Sequence, residues 1–173
     1  WYTWKRDEKA FYTEPFRVQN EDLLEAINKA QAEKGTSLCK DITFTGWEPL
    51  LQQKEIVKWK EENPDYSTQI ETNGTVPPCE YLLKNSFFNC SPKLESSWNK
   101  LAMRYREKVI ESISKANPLN CFKFVCSTAD DVQETYDKYS HIIPKEQMYI
   151  MPEGVTKEAN EKVFEVIMPK IFE

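Results

Sequence analysis

The sequence lacks the features of several protein classes. Its 173 residues include only four glycines and one histidine, and none of its five cysteines forms a C-x-x-C pair. No apolar run approaches the length needed to cross a bilayer, so we expect no membrane partner. The net charge is −5, and both signs are mixed along the chain without a basic stripe. A direct nucleic-acid partner is therefore not expected either.

The cysteine pattern argues against a metal centre built by this segment alone. The number is odd and the spacing irregular, unlike the spacings of zinc and iron–sulfur sites, at Cys39, Cys79, Cys90, Cys121 and Cys126. Most of these positions lie in or beside apolar runs. We therefore interpret them as reduced, mostly buried thiols, which favours a cytoplasmic location over an oxidising compartment.

Composition predicts one domain over residues 1–173. Hydrophobic residues make up 40% of the chain, which is enough for one core. Residues 1–19 form an aromatic N-terminal segment, with Trp1, Tyr2 and Trp4 at its start, and no regular structure is predicted there. The single histidine, His141, has no nucleophile near it in sequence and is interpreted as structural.

Strands and helices alternate along the predicted fold. Helices are expected from Asn20 to Gly35, after Pro49, and from about Asp130 to Tyr139. The longest is predicted over Glu95–Ala116, with Trp98, Leu101 and Val109 on its apolar side. The last starts near Thr156 and is expected to bury Ala159, Val163, Val166, Ile167 and Ile171. Between them, short apolar runs predict strands, and this alternation favours an α/β fold with a mainly parallel sheet.

Each predicted strand ends in a polar turn. The strands run over residues 41–45, 68–70, 86–90, 121–126 and 148–151, and the turns after them are Gly46-Trp47-Glu48-Pro49, Glu71-Thr72-Asn73-Gly74-Thr75, Ser91-Pro92-Lys93, Ser127-Thr128 and Pro152-Glu153-Gly154. In parallel α/β folds the carboxyl ends of the strands converge, and ligands bind there. One ligand site at that edge is therefore predicted.

The turns resemble one family. Thr45-Gly46-Trp47-Glu48-Pro49-Leu50-Leu51-Gln52 is similar to the T-G-G-E-P-L-L-Q segment of radical S-adenosylmethionine enzymes. Ile70 to Thr75, Ser91-Pro92-Lys93, Lys123-Phe124-Val125 and Met151 to Gly154 come next in the expected order. Together they resemble the 7-carboxy-7-deazaguanine synthase family over roughly residues 40–160. The resemblance implies a partial (β/α) barrel whose first strand and cluster loop are missing from this chain.

The resemblance also implies a reaction and a set of ligands. Family members use S-adenosylmethionine, a [4Fe-4S] cluster and Mg²⁺, accept electrons from a donor such as flavodoxin, and usually form homodimers. They convert 6-carboxy-5,6,7,8-tetrahydropterin to 7-carboxy-7-deazaguanine on the queuosine pathway. The cofactor-binding residues implied here are Thr45, Gly46, Glu48, Ser91 and Lys93. The substrate-binding residues implied are Glu71, Thr72, Asn73 and Lys123.

Residue chemistry alone leaves plainer alternatives for these positions. Glu48 could be a helix cap, and Asn73-Gly74 an ordinary turn. Lys123 lies between two phenylalanines, so strand alternation directs it away from the face that carries them. That position suits either a barrel interior or a solvent-facing edge.

The sequence departs from the family pattern at two points. The three-cysteine cluster motif is absent, and the aromatic start resembles the segment located after that motif in family members. An N-terminal extension with three cysteines is therefore expected in the intact protein. Trp47 stands where the family has glycine; its indole either turns out of the ligand rim, stacks on a ligand, or fills the pocket as core. Both departures also fit a rival hypothesis, a non-catalytic homologue that binds or regulates.

Overall fold

The computed structural model describes residues 20–34 and 40–172, so the segment 1–19 and Cys39 lie outside the described residues. It divides into two units. In the first, the described residues form helix α1, which spans Asn20–Lys34 as predicted. The prediction of one domain over 1–173 stays a prediction.

The second unit is a five-stranded parallel sheet in the order β1-β2-β3-β4-β5. Each strand pairs with the one before it in sequence, and the strands are β1 (Asp41–Phe44), β2 (Ser67–Thr72), β3 (Phe87–Cys90), β4 (Cys121–Cys126) and β5 (Met148–Pro152). The helices between them are α2 (Gln53–Glu62), α3 (Glu80–Asn85), α4 (Leu101–Arg104), α5 (Glu107–Ala116) and α6 (Ala129–Tyr139), and α7 (Lys157–Ile171) comes after β5. This is the α/β partial (β/α) barrel that the sequence predicts.

One face of the sheet carries the core. Ile70, Phe88, Phe122 and Phe124 are fully buried there. They belong to one apolar cluster with side chains from the helices, namely Leu82, Ile110, Ile113, Val132, Tyr139 and Ile167. Because side chains alternate along a strand, the neighbouring residues project to the opposite face.

That opposite face, called the open face below, is polar and partly exposed. Its side chains include Thr43, Gln69, Glu71, Asn89, Cys121, Lys123, Tyr149 and Met151. Tyr149 and Met151 are exposed, whereas their strand neighbours on the helix side are less so. Lys123 lies on this face, away from Phe122 and Phe124, as strand alternation predicts.

Four details of the fold differ from the sequence predictions. The predicted helix Glu95–Ala116 is wrong: a 3₁₀ turn (Glu95–Ser97) is followed by α4 and α5. The break lies at Trp98, which has a left-handed φ of 61° and is 96% exposed. Helix α3 was not predicted, and β2 extends two residues further, through Glu71 and Thr72. In α7, Val166 and Ile171 are exposed, because only Ile167 faces the core fully.

Candidate functional site at the carboxyl ends of the strands

The carboxyl ends of β1 and β2 are joined by one carboxylate. Glu48 caps the 3₁₀ helix Pro49–Gln52 by accepting a hydrogen bond from the backbone N–H of Leu50, at 3.1 Å. The same carboxylate accepts hydrogen bonds from the Thr72 hydroxyl, 2.8 Å from either oxygen, and from the backbone N–H of Asn73, at 3.0 Å. Glu48 is therefore a helix cap, as its residue chemistry alone allows. It also links the turn after β1 to the turn after β2.

Similar contacts join the later strand ends. The backbone N–H of Ser91 donates to the carbonyl of Thr72 at 2.7 Å, and that of Glu153 donates to the carbonyl of Cys126 at 3.0 Å. The Ser127 hydroxyl also donates to the Glu153 carboxylate. These contacts lie where parallel strands end, and they join the turns after β2 and β3 and the turns after β4 and β5.

Two glycines suit this edge for reasons of backbone geometry. Gly46 has a φ of 135°, and a Cβ built there would meet nothing within 4 Å. The positive φ disfavours any other residue, and the open space leaves its backbone accessible. Gly74 has a φ of 76°, and a Cβ there would lie 2.5 Å from the Ile110 side chain.

Trp47 does not have a positive φ and is 75% exposed. Of the alternatives for this residue, the one in which its indole fills the pocket as core is wrong. The backbone requirement for glycine lies one residue earlier, at Gly46. Trp47 is held through its carbonyl, which accepts from the Asn73 side chain at 3.5 Å.

A row of hydrogen-bonded polar side chains crosses the open face just below this edge. The Thr45 hydroxyl donates to one oxygen of Glu71 at 2.7 Å. The Asn89 amide donates to the other oxygen at 3.3 Å, and the Cys121 thiol donates to the Asn89 carbonyl oxygen at 3.4 Å. The sheet register places Glu71, Asn89 and Cys121 directly side by side. Lys123 is two residues further along β4, on the same face.

Sequence reasoning missed Asn89 and Cys121 as site residues. Both lie inside strands rather than in turns, so a search of strand-end turns passes over them. Their position relative to Glu71 depends on the register between β2, β3 and β4, which no local pattern specifies. One signal in the sequence does point to Asn89. It lies two residues before Ser91, and because side chains alternate along a strand, it is expected on the same face as that turn residue.

The predicted cofactor and substrate residues differ in what their side chains contact. The side chains of Thr72 and Asn73 stabilise their own turn: the Thr72 hydroxyl accepts from Gly74 N–H, and Asn73 accepts from Thr75. Glu71 and Lys123 face the open side of the sheet. Lys93 is exposed, Ser91 is partly exposed, and neither side chain bonds to another described residue. The roles assigned to all nine residues stay predictions.

The described cysteines do not suit a metal cluster. Cys79, Cys90, Cys121 and Cys126 are free, and no group of three or more His, Cys, Asp or Glu within residues 20–34 and 40–172 could hold a metal ion. Burial raises the pKa of Cys90 well above its usual value and that of Cys126 to about 12. Burial also raises the pKa of Cys121, although Lys123 opposes this. Because cluster ligands are thiolates, these residues fit neither a [4Fe-4S] cluster nor zinc.

In the described part of the chain, no helix is both long and apolar enough to cross a membrane.

A buried ion pair supports the loop that carries Ser91 and Lys93. Arg104 is 4% exposed and Glu134 10%, and their side chains meet at 2.5 Å. Arg104 also donates to the carbonyls of Lys93 and Asn99, and Glu134 accepts from the backbone N–H of Glu95. The loop after β3 is thereby attached to α6.

Comparison with known proteins gives one curated relative and one solved structure of interest, while no family model matches the chain. The relative is a 7-carboxy-7-deazaguanine synthase from Pyrobaculum aerophilum, 30% identical over 136 residues, or 74% of this chain. The match covers 55% of that protein, so this chain spans about half the length of its curated relative.

The solved structure is QueE from Escherichia coli. It matches 89% of this chain and 61% of its own, with a TM-score of 0.60 and 20% identity, which supports the fold. The resemblance predicted from the strand-end segments is therefore confirmed: this chain is similar in sequence to a 7-carboxy-7-deazaguanine synthase and in fold to QueE.

Proposed function

We propose that this chain carries the ligand-binding edge of a radical S-adenosylmethionine lyase of the 7-carboxy-7-deazaguanine synthase type. The reaction proposed is conversion of 6-carboxy-5,6,7,8-tetrahydropterin to 7-carboxy-7-deazaguanine in deazaguanine and queuosine biosynthesis. The observation that carries the proposal is the placement of the family-like turns along one edge of a parallel sheet, directly above the polar row of the open face. The product follows the name of the sequence relative, a 7-carboxy-7-deazaguanine synthase, and the substrate follows the family resemblance.

The residues divide by position into two sets of roles. Thr45, Gly46, Ser91 and Lys93 lie at the edge, where backbone groups, hydroxyls and an ammonium suit the polar parts of S-adenosylmethionine. Glu48 helps by fixing the turn through its cap, since its oxygens already accept from protein donors.

Glu71 and Lys123 are the substrate-binding pair in this proposal. A carboxylate accepts from the N–H groups of a pterin ring, and an ammonium pairs with the substrate carboxylate. Both lie on the open face. In the sheet register Glu71 is opposite Asn89 and Asn89 is opposite Cys121, and Lys123 is two residues after Cys121. Thr72 and Asn73 act indirectly by holding the turn after Glu71.

S-Adenosylmethionine and a reduced [4Fe-4S] cluster, when bound, supply the one-electron chemistry of such enzymes, while the protein binds and orients the reactants. The described residues do not include a fitting set of cluster ligands. The cluster, Mg²⁺, an electron donor such as flavodoxin, a homodimeric state and a cytoplasmic location belong to the proposal through the family relation.

Binding of 6-carboxypterin, a stable fluorescent relative of the substrate, tests this proposal. We expect saturable binding to the full chain, measured by fluorescence anisotropy. Glu71→Ala should weaken binding at least about tenfold, because a hydrogen bond to a charged group is lost. Lys123→Ala should weaken it similarly.

Gln69→Ala is the matched control. Gln69 lies two residues before Glu71 on the same face, and it too accepts from a threonine hydroxyl, that of Thr43 at 3.3 Å. Its removal should leave the affinity unchanged. No saturable binding by the wild type, or an equal loss in Gln69→Ala, would contradict the proposal.

A further inference from the structure

Asn89 is a buried amide in the middle of the polar row. We infer that Asn89 is a positioning residue, which orients the Glu71 carboxylate to pair with two adjacent N–H groups of a planar heterocycle. The inference rests on the proposed function, because it names how the same site recognises its ligand class. It adds a residue of β3 to a site otherwise assigned to residues of β2, of β4 and of the turns.

The orientation of the Asn89 side chain is specified from both ends. Its NH₂ group donates to Glu71, and its oxygen accepts from the Cys121 thiol. Burial raises the pKa of Cys121, so this side chain remains a protonated donor near neutral pH. Asn89 is 9% exposed, and its neighbours leave it little freedom to rotate.

Glu71 is held in turn by one donor on each oxygen. Thr45 donates to one and Asn89 to the other, so the carboxylate plane is fixed between β1 and β3. Each carboxylate oxygen has two lone pairs, and one on each remains without a described donor. Two oxygens with one free acceptor position each match two neighbouring N–H donors, as the aminopyrimidinone edge of a pterin provides.

The side chains that donate to this carboxylate, those of Thr45 and Asn89, are neutral. Glu71 and Lys123 both act electrostatically on the neighbouring Cys121 thiol. An added charge at residue 89 would lie next to Glu71, whose carboxylate is 3.3 Å from the present amide nitrogen.

The variant Asn89→Asp distinguishes a positioning role from a merely structural one, because only the positioning role predicts a loss of affinity that depends on pH. At about pH 8 the two adjacent carboxylates repel and Glu71 has lost the donor at residue 89, so affinity for 6-carboxypterin should fall at least about tenfold relative to wild type. On lowering the pH to about 6, the pair shares a proton and one carboxyl again donates to the other. The ratio of variant to wild-type affinity should then recover.

Variants of Cys121 keep the inference testable if Asn89→Asp folds poorly, and an NMR titration adds a second readout if it folds. Cys121→Ala removes the donor to Asn89 and should lower affinity several-fold, while Cys121→Ser retains a donor and should restore it. Carbon-detected NMR titration of Glu71 should show its pKa displaced by at least about one unit in Asn89→Asp, because the two carboxyls then titrate together. Gln69→Glu, which adds the same charge beside Thr43, should change neither readout.

The outcomes separate this inference from the proposed function. Failure of the wild type to bind 6-carboxypterin overturns the proposed function, and with it the ligand assigned to Glu71. Wild-type binding with an unchanged Glu71 titration in Asn89→Asp, or without recovery at lower pH, overturns the role of Asn89 alone. Pterin binding with a pH-dependent ratio and a displaced titration supports both.

Discussion

At the scale of single residues, the glycine requirement of the first turn falls on Gly46 and not on the tryptophan after it. Trp47 is exposed and has an ordinary backbone conformation, so its indole contributes little to the core. Its position next to Gly46 nevertheless places a large side chain beside the backbone proposed to meet S-adenosylmethionine. Stability and ligand affinity are therefore expected to respond differently to its removal.

Trp47→Gly should change the free energy of unfolding by less than about 1 kcal/mol, the usual backbone cost of glycine. The same variant should bind S-adenosylmethionine more tightly, because access to Gly46 improves. Denaturant unfolding and isothermal titration calorimetry measure the two effects.

Trp98→Gly is the control, since Trp98 is also exposed but has a left-handed φ of 61°. It should be neutral or stabilising, because glycine adopts that conformation without the cost of about 1–2 kcal/mol that other residues incur. Its affinity for S-adenosylmethionine should not change. Loss of stability in Trp47→Gly without any gain in affinity would favour the non-catalytic hypothesis.

At the scale of elements, the loop after β3 depends on α6 through the Arg104–Glu134 pair. Burial alone would raise the pKa of Glu134, but hydrogen bonds from Lys138, the Glu95 backbone and Arg104, with the charge of Arg104, hold it below its usual range. A lowered pKa means that the pair contributes stability above the pKa of the unfolded chain. That contribution is lost as the pH falls through the lower, folded pKa.

Glu134→Gln should lower the free energy of unfolding by about 3–5 kcal/mol near neutral pH, because Arg104 is left buried without its partner charge. The difference from wild type should shrink as the pH falls below about 4.3, where unfolded glutamates gain protons. Urea unfolding at several pH values measures this.

Glu111→Gln removes an exposed, same-helix pair with Lys115 and serves as the control, with a much smaller effect expected. A difference between wild type and Glu134→Gln that stays constant down to low pH would contradict the role given to this carboxylate.

The sequence predicted the elements unevenly, and the reasons are local. Strand runs such as Cys121 to Cys126 have clear alternation, and apolar residues recur at helical spacing after Asp130 and after Thr156, so these elements agree with the prediction. The break at Trp98 was missed because apolar spacing continued across it, whereas the chain there turns to bring Arg104 to Glu134. The row through Asn89 depends on register between strands, which is a property of the assembled sheet.

At the scale of the whole molecule, this 173-residue chain by itself should not perform radical chemistry. Its described cysteines are free and not grouped for a cluster, and burial raises the pKa of three of them, Cys90, Cys121 and Cys126. After anaerobic reconstitution with iron and sulfide, we expect no 5′-deoxyadenosine from S-adenosylmethionine. Turnover by the chain would show that its cysteines had been misinterpreted.

The central claim is that one edge of the sheet, with the open face below it, binds the pterin. Backbone amide chemical shifts recorded during titration with 6-carboxypterin test it most directly. We predict changes at residues 45–47, 71–75, 89–93 and 121–125, and none at the amino ends of β1 and β2, near residues 41 and 67. Changes confined to the exposed loop at 95–100, or to the helix-covered side of the sheet, would contradict the claim.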